Sequence, residues 1–243
     1  MTDSKKNNFS VPFLDHLEDL RWRLLKAVIS LIVAAGGCFY FADQILAFII
    51  KPLGDTQLFV TEVTGSFYAY LKISLIAGVM AALPLIFYQL WSFISPGLYR
   101  EEKIYVLPLV AASTLLFIGG AAFCYYLILP IALSFLIGYS GDLLSPIITV
   151  GSYISFTGML LLAFGFGFEI PVIAYFLGKV GIITTRTLIK GRRYAVVFII
   201  ILAAILTPPD FTTQILLAVP LYILYEISII IVHFTGYKPE KSD

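Results

Sequence analysis

Residues 151–178, GSYISFTGMLLLAFGFGFEIPVIAYFLG, decide the fold, because this stretch is apolar throughout apart from the carboxylate of Glu169. A helix needs about 20 mostly apolar residues to cross the hydrocarbon core of a bilayer, and this stretch is longer than that. Similar runs recur along the chain. They predict six transmembrane helices, with approximate spans 24–42, 67–94, 104–128, 151–178, 194–207 and 212–232. We therefore expect residues 1–243 to form one all-α integral membrane domain.

The composition excludes a soluble domain. Of the 243 residues, 60% are hydrophobic and 13% are charged, whereas soluble domains carry about 25% charged residues. Lipid must therefore contact most of the surface, and a net charge of +1 gives no reason to expect a nucleic-acid partner. Cys38 and Cys124 both lie in apolar runs, where they are either two buried free thiols or a disulfide.

The distribution of Lys and Arg predicts the orientation. If the N-terminus is inside, the cytoplasmic segments hold 14 of the 16 basic residues, and only Lys51 and Lys72 lie at the outer side. Cytoplasmic loops of membrane proteins carry this excess of positive charge. We therefore expect both termini in the cytoplasm.

The fifth and sixth predicted helices are short. The uncharged run of the fifth helix is limited to residues 194–209, because Arg193 precedes it and Asp210 follows it. The run spans roughly 24 Å as a helix, less than the roughly 30 Å of the hydrocarbon core. This hairpin is expected either to thin the bilayer locally or to pack against partner subunits.

Proline recurs inside the predicted spans, at Pro84, Pro108, Pro171 and Pro220. Each proline removes one backbone hydrogen bond and can kink its helix. We therefore expect the helices to form a curved, concave wall instead of a tight bundle.

Two weaker patterns concern packing and the membrane surface. Gly151, Gly158 and Gly165 recur every seven residues on one helix face, which favours close helix packing. Residues 11–22 predict an amphipathic helix on the cytoplasmic surface, with leucines on one face and acidic residues on another.

Glu169 lies about ten residues from Lys179, which places it near the middle of the membrane. A carboxylate at that depth costs about 3 kcal/mol and usually faces protein or a wet cavity. Glu169 is therefore either a functional group or a protonated, hydrogen-bonded structural one.

Two acidic pairs, Glu18–Asp19 and Glu101–Glu102, interrupt the basic flanks of the predicted cytoplasmic side. Separated carboxylates suit a cationic ligand, and arginine binds carboxylates in a bidentate manner. The alternative is internal pairing with neighbouring Arg and Lys side chains, which contributes roughly 0–1 kcal/mol. The residues alone leave both interpretations open.

The sequence gives little support for catalysis. His16 and His233, the two histidines, both lie at predicted cytoplasmic ends, so a histidine-based nucleophile or metal site inside the membrane is not expected. A phosphate-binding glycine motif is also missing from the sequence. We expect no enzyme activity, no cofactor and no metal.

Four motifs, in order along the chain, resemble the TatC family, the core membrane subunits of the twin-arginine protein export system. They are His16-Leu-Glu-Asp-Leu-Arg21, Pro84-Leu-Ile-Phe-Tyr-Gln-Leu-Trp-Ser-Phe93-Ile-Ser-Pro96-Gly-Leu-Tyr-Arg-Glu-Glu102, Phe164-Gly-Phe-Gly-Phe-Glu169-Ile-Pro171, and Leu206-Thr207-Pro208-Pro209-Asp210 with Gln214 and Pro220. The resemblance covers residues 13–232. One departure is that the family usually has Glu at the position of Asp19, here preceded by a second acid, Glu18.

The resemblance implies a receptor for paired-arginine signal peptides on folded cargo, and the core of a translocase driven by the proton-motive force. It also implies the bacterial cytoplasmic (inner) membrane and an assembly that is both homo- and hetero-oligomeric. The residues that it implies for signal-peptide binding are Asp19, Glu18, Glu102, Phe93 and Arg21.

The resemblance further implies contacts with single-span TatA- and TatB-like subunits. The residues that it implies for these contacts are Glu169, Gln214 and Thr207. Structural roles in helices and loops fall to Pro84, Pro171, Asp210 and Pro208.

The main alternative is a proton-coupled small-solute transporter with Glu169 as the proton carrier. Such transporters often contain internal repeats around a midplane site. The sequence has no evident internal repeat, which weakens this alternative.

Overall fold

The computed structural model describes residues 11–54, 56–94, 106–138, 147–207 and 211–235, without the side chains of residues 11–16. Nearly all of these residues are helical. The helices are α1 (Val11–Tyr40), α2 (Ala42–Ile49), α3 (Gly65–Ile94), α4 (Val106–Phe123), α5 (Leu129–Gly138), α6 (Val150–Phe168), α7 (Ile170–Lys179), α8 (Thr185–Leu206) and α9 (Phe211–Thr235). Two short strands, β1 (Leu58–Phe59) and β2 (Ile148–Thr149), pair in parallel.

Five helical segments in the described part of the chain are long and apolar enough to cross a membrane. They are Leu17–Tyr40, Gly65–Ile94, Val106–Gly138, Val150–Lys179 and Phe211–Thr235. The predicted fifth span, 194–207, falls almost wholly within α8. The first part of α8 carries Lys190, Arg192 and Arg193, so its uncharged part is short, as the sequence predicts.

The predicted surface helix, 11–22, and the predicted first span, 24–42, both fall largely within the continuous helix α1. α1 packs along α3, and the two are so close that a Cβ atom built on Gly78 would lie 2.6 Å from the Cα of Ala35. α4 packs against α6, and α7 and α8 both pack against α9.

The glycines of α6 make the close contacts that their spacing favours, with one exception. A Cβ atom on Gly158 would lie 2.1 Å from Ile76 of α3, and one on Gly165 would lie 2.4 Å from Phe117 of α4. In the described residues, no atom lies within 4 Å of a Cβ atom built on Gly151. Of the three glycines in this series, Gly158 and Gly165 therefore let neighbouring helices approach.

The prolines have unequal effects. Pro84 and Pro220 lie inside the uninterrupted helices α3 and α9, whereas Pro171 follows the break between α6 and α7 at Glu169. Past the predicted boundary at 128, the helix continues through Pro130 to Gly138, because a π-helical turn at Cys124–Ile128 joins α4 to α5. A π-turn widens the helix, which relieves the clash between the Pro130 ring and the preceding turn.

The bundle has two ends. We call the end with Arg21, Ile94, Lys179 and the start of α8 the basic end. We call the other the capped end, because α2, the short helix Lys51–Leu53 and the β1–β2 pair cover it.

Tyrosine hydroxyl groups hold the cap on the bundle. Tyr125 and Tyr153 donate hydrogen bonds to the carbonyls of Phe48 and Ile49, at 2.5 and 2.7 Å. Tyr70 of α3 donates to Asp43 of α2 at 2.7 Å. Cys38 and Cys124 are both free thiols, but only Cys124 is buried as expected, because Cys38 is half-buried.

Candidate functional site

The acidic pair near the start of α1 lies at the basic end and contacts α3 through an arginine. Asp19 and Arg23 are four residues apart on one helix face, and Asp19 Oδ2 lies 2.8 Å from Arg23 Nε. Arg23 also donates to the hydroxyl group of Ser92 on α3, at 2.5 Å. The Asp19 carboxylate therefore already holds a guanidinium group, as the internal-pairing interpretation expects, while about 41% of its side-chain surface stays exposed.

Glu18 and Arg21 lie beside this pair and are exposed. In the described part of the chain, neither forms an ion pair within 4.0 Å. The structure thus separates the two adjacent acids: Asp19 faces Arg23 and α3, whereas Glu18 remains open to a ligand.

An apolar groove of about 170 Å³ runs from Arg23 along the contact between α1 and α3. Phe93, predicted to take part in peptide binding, lines it near the end of α3. The other lining side chains are mostly apolar: Leu20, Leu24, Ala27, Ile86, Gln89 and Leu90. The basic end therefore combines a carboxylate–guanidinium pair with an adjoining apolar surface.

Three of the predicted site residues, Glu102, Pro208 and Asp210, lie outside the described residues. α3 ends at Ile94, eight positions before Glu102, and this end is next to the Arg23–Ser92 contact.

Glu169 forms the second candidate site, inside the bundle. It is 4% exposed and lies at the break between α6 and α7, where its backbone N–H donates to the Phe166 carbonyl at 3.1 Å. The break follows from Pro171, which has no N–H to continue the helical ladder. The break turns the Glu169 side chain towards α4, where Ser113 is its hydrogen-bond partner.

The polar contacts of Glu169 are few. Trp91 of α3 donates from Nε1 to the same Ser113 hydroxyl group at 3.2 Å, so the carboxyl group, the serine and the indole form a chain across three helices. The second carboxyl oxygen, Oε1, is buried and has no hydrogen-bond partner among the described residues. A buried oxygen without a partner is costly, so this atom can accept a hydrogen bond from an incoming group.

Thr207 and Gln214 lie at the capped end of the α8–α9 hairpin. The Thr207 hydroxyl group donates to the Ala203 carbonyl at 2.9 Å, and the Gln214 amide donates to the Ile200 carbonyl at 3.0 Å. Both side chains therefore bond the backbone of α8, and no hydrogen bond joins either to Glu169 in the described residues.

A separate apolar cavity of about 450 Å³ lies between α6 and α8. Its lining includes Gly167, Ile170 and Leu206, which are neighbours of Glu169 and Thr207 in sequence, but neither Glu169 nor Thr207 lines it. Its size and apolar lining suit side chains of a further transmembrane helix.

Sequence reasoning missed three polar partners, Ser92, Ser113 and Trp91. Serine and tryptophan in an apolar run give no signal of which helix they face, so only the packing reveals them. The carboxylate of Glu226 on α9 accepts from Arg192 at 2.7 Å and from Tyr222 at 2.7 Å, and the first of these contacts ties α8 to α9.

The family of Sec-independent protein translocase proteins (TatC) matches residues 15–220 of the chain. The Sec-independent protein translocase protein TatC of Desulforapulum autotrophicum is 39% identical over 96% of this chain and 88% of its own length. The TatC protein of Helicobacter pylori strain J99 is 42% identical over 94% of this chain and 91% of its own length.

A solved structure is also similar. The crystal structure of a twin arginine translocase receptor, TatC in DDM, has a TM-score of 0.83 and is 40% identical, covering 92% of this chain and all of that one. Sequence and fold thus point to the same family.

Proposed function

Because this chain belongs to the TatC family of Sec-independent protein translocase proteins, we propose that it is the receptor for twin-arginine signal peptides in the membrane. Family membership makes it a membrane subunit of a protein translocase and not an enzyme. It gives no support to the solute-transporter alternative.

The observation that carries the receptor proposal is the Asp19–Arg23 ion pair at the rim of the apolar groove. The carboxylate that binds an arginine inside the protein has the geometry to bind an arginine of a peptide, because guanidinium groups bind carboxylates through paired N–H donors. We propose that a signal-peptide arginine exchanges with Arg23 at Asp19, and that Glu18 and Glu102 bind the second arginine.

The groove would then take the apolar side chains that adjoin the paired arginine. In this arrangement Phe93 contacts the peptide, and Arg21, which is exposed, sets the electrostatic environment of Glu18. Charge alone would accept lysine as well as arginine, whereas a bidentate site prefers arginine.

The test is photocrosslinking from positions 19 and 102 of the full chain, in membranes, to a labelled peptide with an Arg-Arg or a Lys-Lys pair. We expect crosslinks to the Arg-Arg peptide at least about tenfold above those to the Lys-Lys peptide. Binding of the Arg-Arg peptide should fall about tenfold in Asp19→Asn. Equal crosslinking of both peptides would contradict the receptor proposal.

Glu18→Gln is the matched variant, because Glu18 is next to Asp19 and has no ion pair to lose in the described residues. A smaller loss in Glu18→Gln than in Asp19→Asn would identify Asp19 as the main recognition acid. The reverse order would transfer that role to Glu18.

We also propose six transmembrane helices, with α8 as the short fifth, in a curved wall that has both termini in the cytoplasm of the bacterial inner membrane. The supporting observation is the charge distribution: Arg21, Arg23, Lys179 and the cluster at the start of α8 are together at the basic end. Membrane proteins retain such an end in the cytoplasm.

The proposed partners are single-span TatA- and TatB-like subunits, in an assembly that also contains further copies of this chain. Two observations support this proposal: the apolar cavity between α6 and α8 has room for side chains of a further helix, and Glu169 Oε1 has no hydrogen-bond partner in the described residues. A polar side chain on a partner helix would satisfy that oxygen. Transport itself would use the proton-motive force.

A further inference from the structure

A polar cavity of about 510 Å³ lies at the capped end of the bundle, at the opposite end from the Asp19 site. The first turns of α3 and α6 form two of its sides, and Phe59 and Thr149 of the β1–β2 pair line it as well. Its other polar lining residues include Glu62, Tyr68, Lys72, Ser152 and Ser155. A cavity with so many polar groups beside two transmembrane helices is suited to a polar ligand.

Lys72 supplies the positive charge of this cavity. Its ammonium group donates one hydrogen bond, to the Ser155 hydroxyl group at 2.9 Å. That hydroxyl group in turn donates to the Gly151 carbonyl at 2.8 Å, so it is fixed as an acceptor for Lys72. An ammonium group has three donors, and in the described residues no carboxylate lies within 4.0 Å of this one.

The start of α6 adds further groups that attract an anion. Thr149 caps the helix by accepting from the Ser152 backbone N–H at 3.3 Å, and its hydroxyl group also lies 2.9 Å from that of Ser152. A helix N-terminus carries a partial positive charge. The Lys72 side of the cavity therefore combines an ammonium group, hydroxyl groups and a helix start.

Glu62 lies on the lining of the same cavity but forms no ion pair with Lys72. A simple anion would meet this carboxylate and be repelled by it. A ligand that carries a negative and a positive group together satisfies both charges, because one end pairs with Lys72 and the other with Glu62.

The depth of the cavity identifies the class of ligand. Lys72 is seven residues into α3, or roughly 10 Å from its start at 1.5 Å per residue. Tyr68 and Tyr70 lie on the same turns, and tyrosine concentrates where lipid headgroups meet the hydrocarbon core. The cavity therefore lies at headgroup level in the leaflet at the capped end.

We propose that this cavity, which we call the headgroup cavity, binds the zwitterionic headgroup of an aminophospholipid. The phosphodiester pairs with Lys72 and the α6 start, and the primary amine pairs with Glu62. The proposal is independent of signal-peptide recognition, because no residue of the Asp19 site takes part in it.

The test is native mass spectrometry of the full chain purified in detergent with equal amounts of phosphatidylethanolamine, phosphatidylglycerol and phosphatidylcholine. We expect one phosphatidylethanolamine molecule to be retained in preference to the other two. Phosphatidylglycerol lacks the amine, and the trimethylated amine of phosphatidylcholine cannot donate to Glu62.

Two substitutions test the two charges of the cavity separately, and a third is a control. Lys72→Gln should lower retention of phosphatidylethanolamine about tenfold, and Glu62→Gln should remove its preference over phosphatidylglycerol. Lys51→Gln is the matched control: Lys51 also lies at the capped end, beside the Phe48 ring, but does not line the cavity. The Lys51→Gln variant should retain as much phosphatidylethanolamine as the unchanged protein does.

Ser155→Ala removes the hydroxyl contact of Lys72 and leaves the ammonium group in place, so it should lower retention of the lipid less than Lys72→Gln does. Equal retention of all three lipids, or unchanged retention in Lys72→Gln, would overturn the proposal. Displacement of the lipid by excess inorganic phosphate would also overturn it, because the cavity would then be a site for a free anion.

Discussion

At the scale of a single residue, the described surroundings of Glu169 leave one of its carboxyl oxygens without a hydrogen-bond donor. In the part of the chain that the structure describes, its Oε1 atom is buried without a hydrogen-bond partner, while Ser113 of α4 is a hydrogen-bond partner of the carboxyl group. Because Glu169 is a carboxylate within an apolar run, the sequence alone predicts that it has a special role or environment. Ser113 could not be found in this way, because a serine within an apolar run has no periodic signal.

We predict that Glu169→Ala weakens association with single-span partner subunits about tenfold and leaves Arg-Arg peptide binding unchanged. The reason is that the substitution removes the acceptor for a partner's polar group but does not touch the basic end. Crosslinking to the partner and peptide binding are the two measurements. Loss of peptide binding before loss of partner association would contradict this division of roles.

Glu169→Gln is the milder variant at the same position. Glutamine keeps a carbonyl oxygen that can accept a hydrogen bond and lacks only the charge. We expect it to retain more partner association than Glu169→Ala. Equal defects in the two variants would assign the role to the charge instead of to the acceptor.

At the scale of helix pairs, the contact between α1 and α3 depends on one glycine. A side chain at Gly78 would meet the backbone of Ala35, which cannot move aside as a flexible side chain could. We predict that Gly78→Val separates α1 from α3, destabilises the protein by about 1–3 kcal/mol and impairs binding of the Arg-Arg peptide. Thermal stability and peptide binding are the measurements.

Gly36→Val is the matched control for this prediction. Gly36 lies on α1 next to Ala35 in sequence, but no atom lies within 4 Å of a Cβ built on it. The control should match the unchanged protein in both measurements. Equal losses in the two variants would show that valine harms the helix itself, and the contact would then be irrelevant.

The glycine series of α6 gives a second test at this scale. We predict that Gly165→Val destabilises the protein by about 1–3 kcal/mol, because its side chain would meet the buried ring of Phe117. Gly151→Val should have little effect, because Gly151 has no neighbour within 4 Å. Thermal denaturation in detergent measures both, and a similar change in the two would contradict the packing argument.

For the molecule as a whole, binding and transport should respond differently to the proton gradient. We predict that a protonophore stops export of folded cargo in membrane vesicles containing the partner subunits, without changing binding of the Arg-Arg peptide. The reason is that, under the proposed function, the basic end binds the peptide through ion pairs, which need no gradient. Export that continues after the gradient collapses would contradict the prediction.

Much of the molecule follows from its sequence, since hydropathy locates the long spans and Lys and Arg mark one end. The short uncharged part of α8 follows as well, because the charges of α8 lie so close to its apolar part. The expected short sixth helix is wrong, since α9 is 25 residues long. The π-turn and the continuation of the helix to Gly138 do not follow, since Pro130 and Gly138 are also typical of a loop. The contact that holds Arg23 beside Asp19, its hydrogen bond to Ser92, does not follow either, because only the packing of α1 on α3 reveals it.

The parallel β1–β2 pair has a consequence for how the protein is made. It joins Leu58 to Ile148, and about 90 residues of chain must be synthesised between the two. At 5–20 residues per second, the second strand emerges roughly 5–18 s after the first. During that interval α1 and α3 must already be inserted in the bilayer, where their packing against each other stabilises them. The β1–β2 pair therefore closes late, and a nascent chain released before residue 148 would carry α1 to α5 without it.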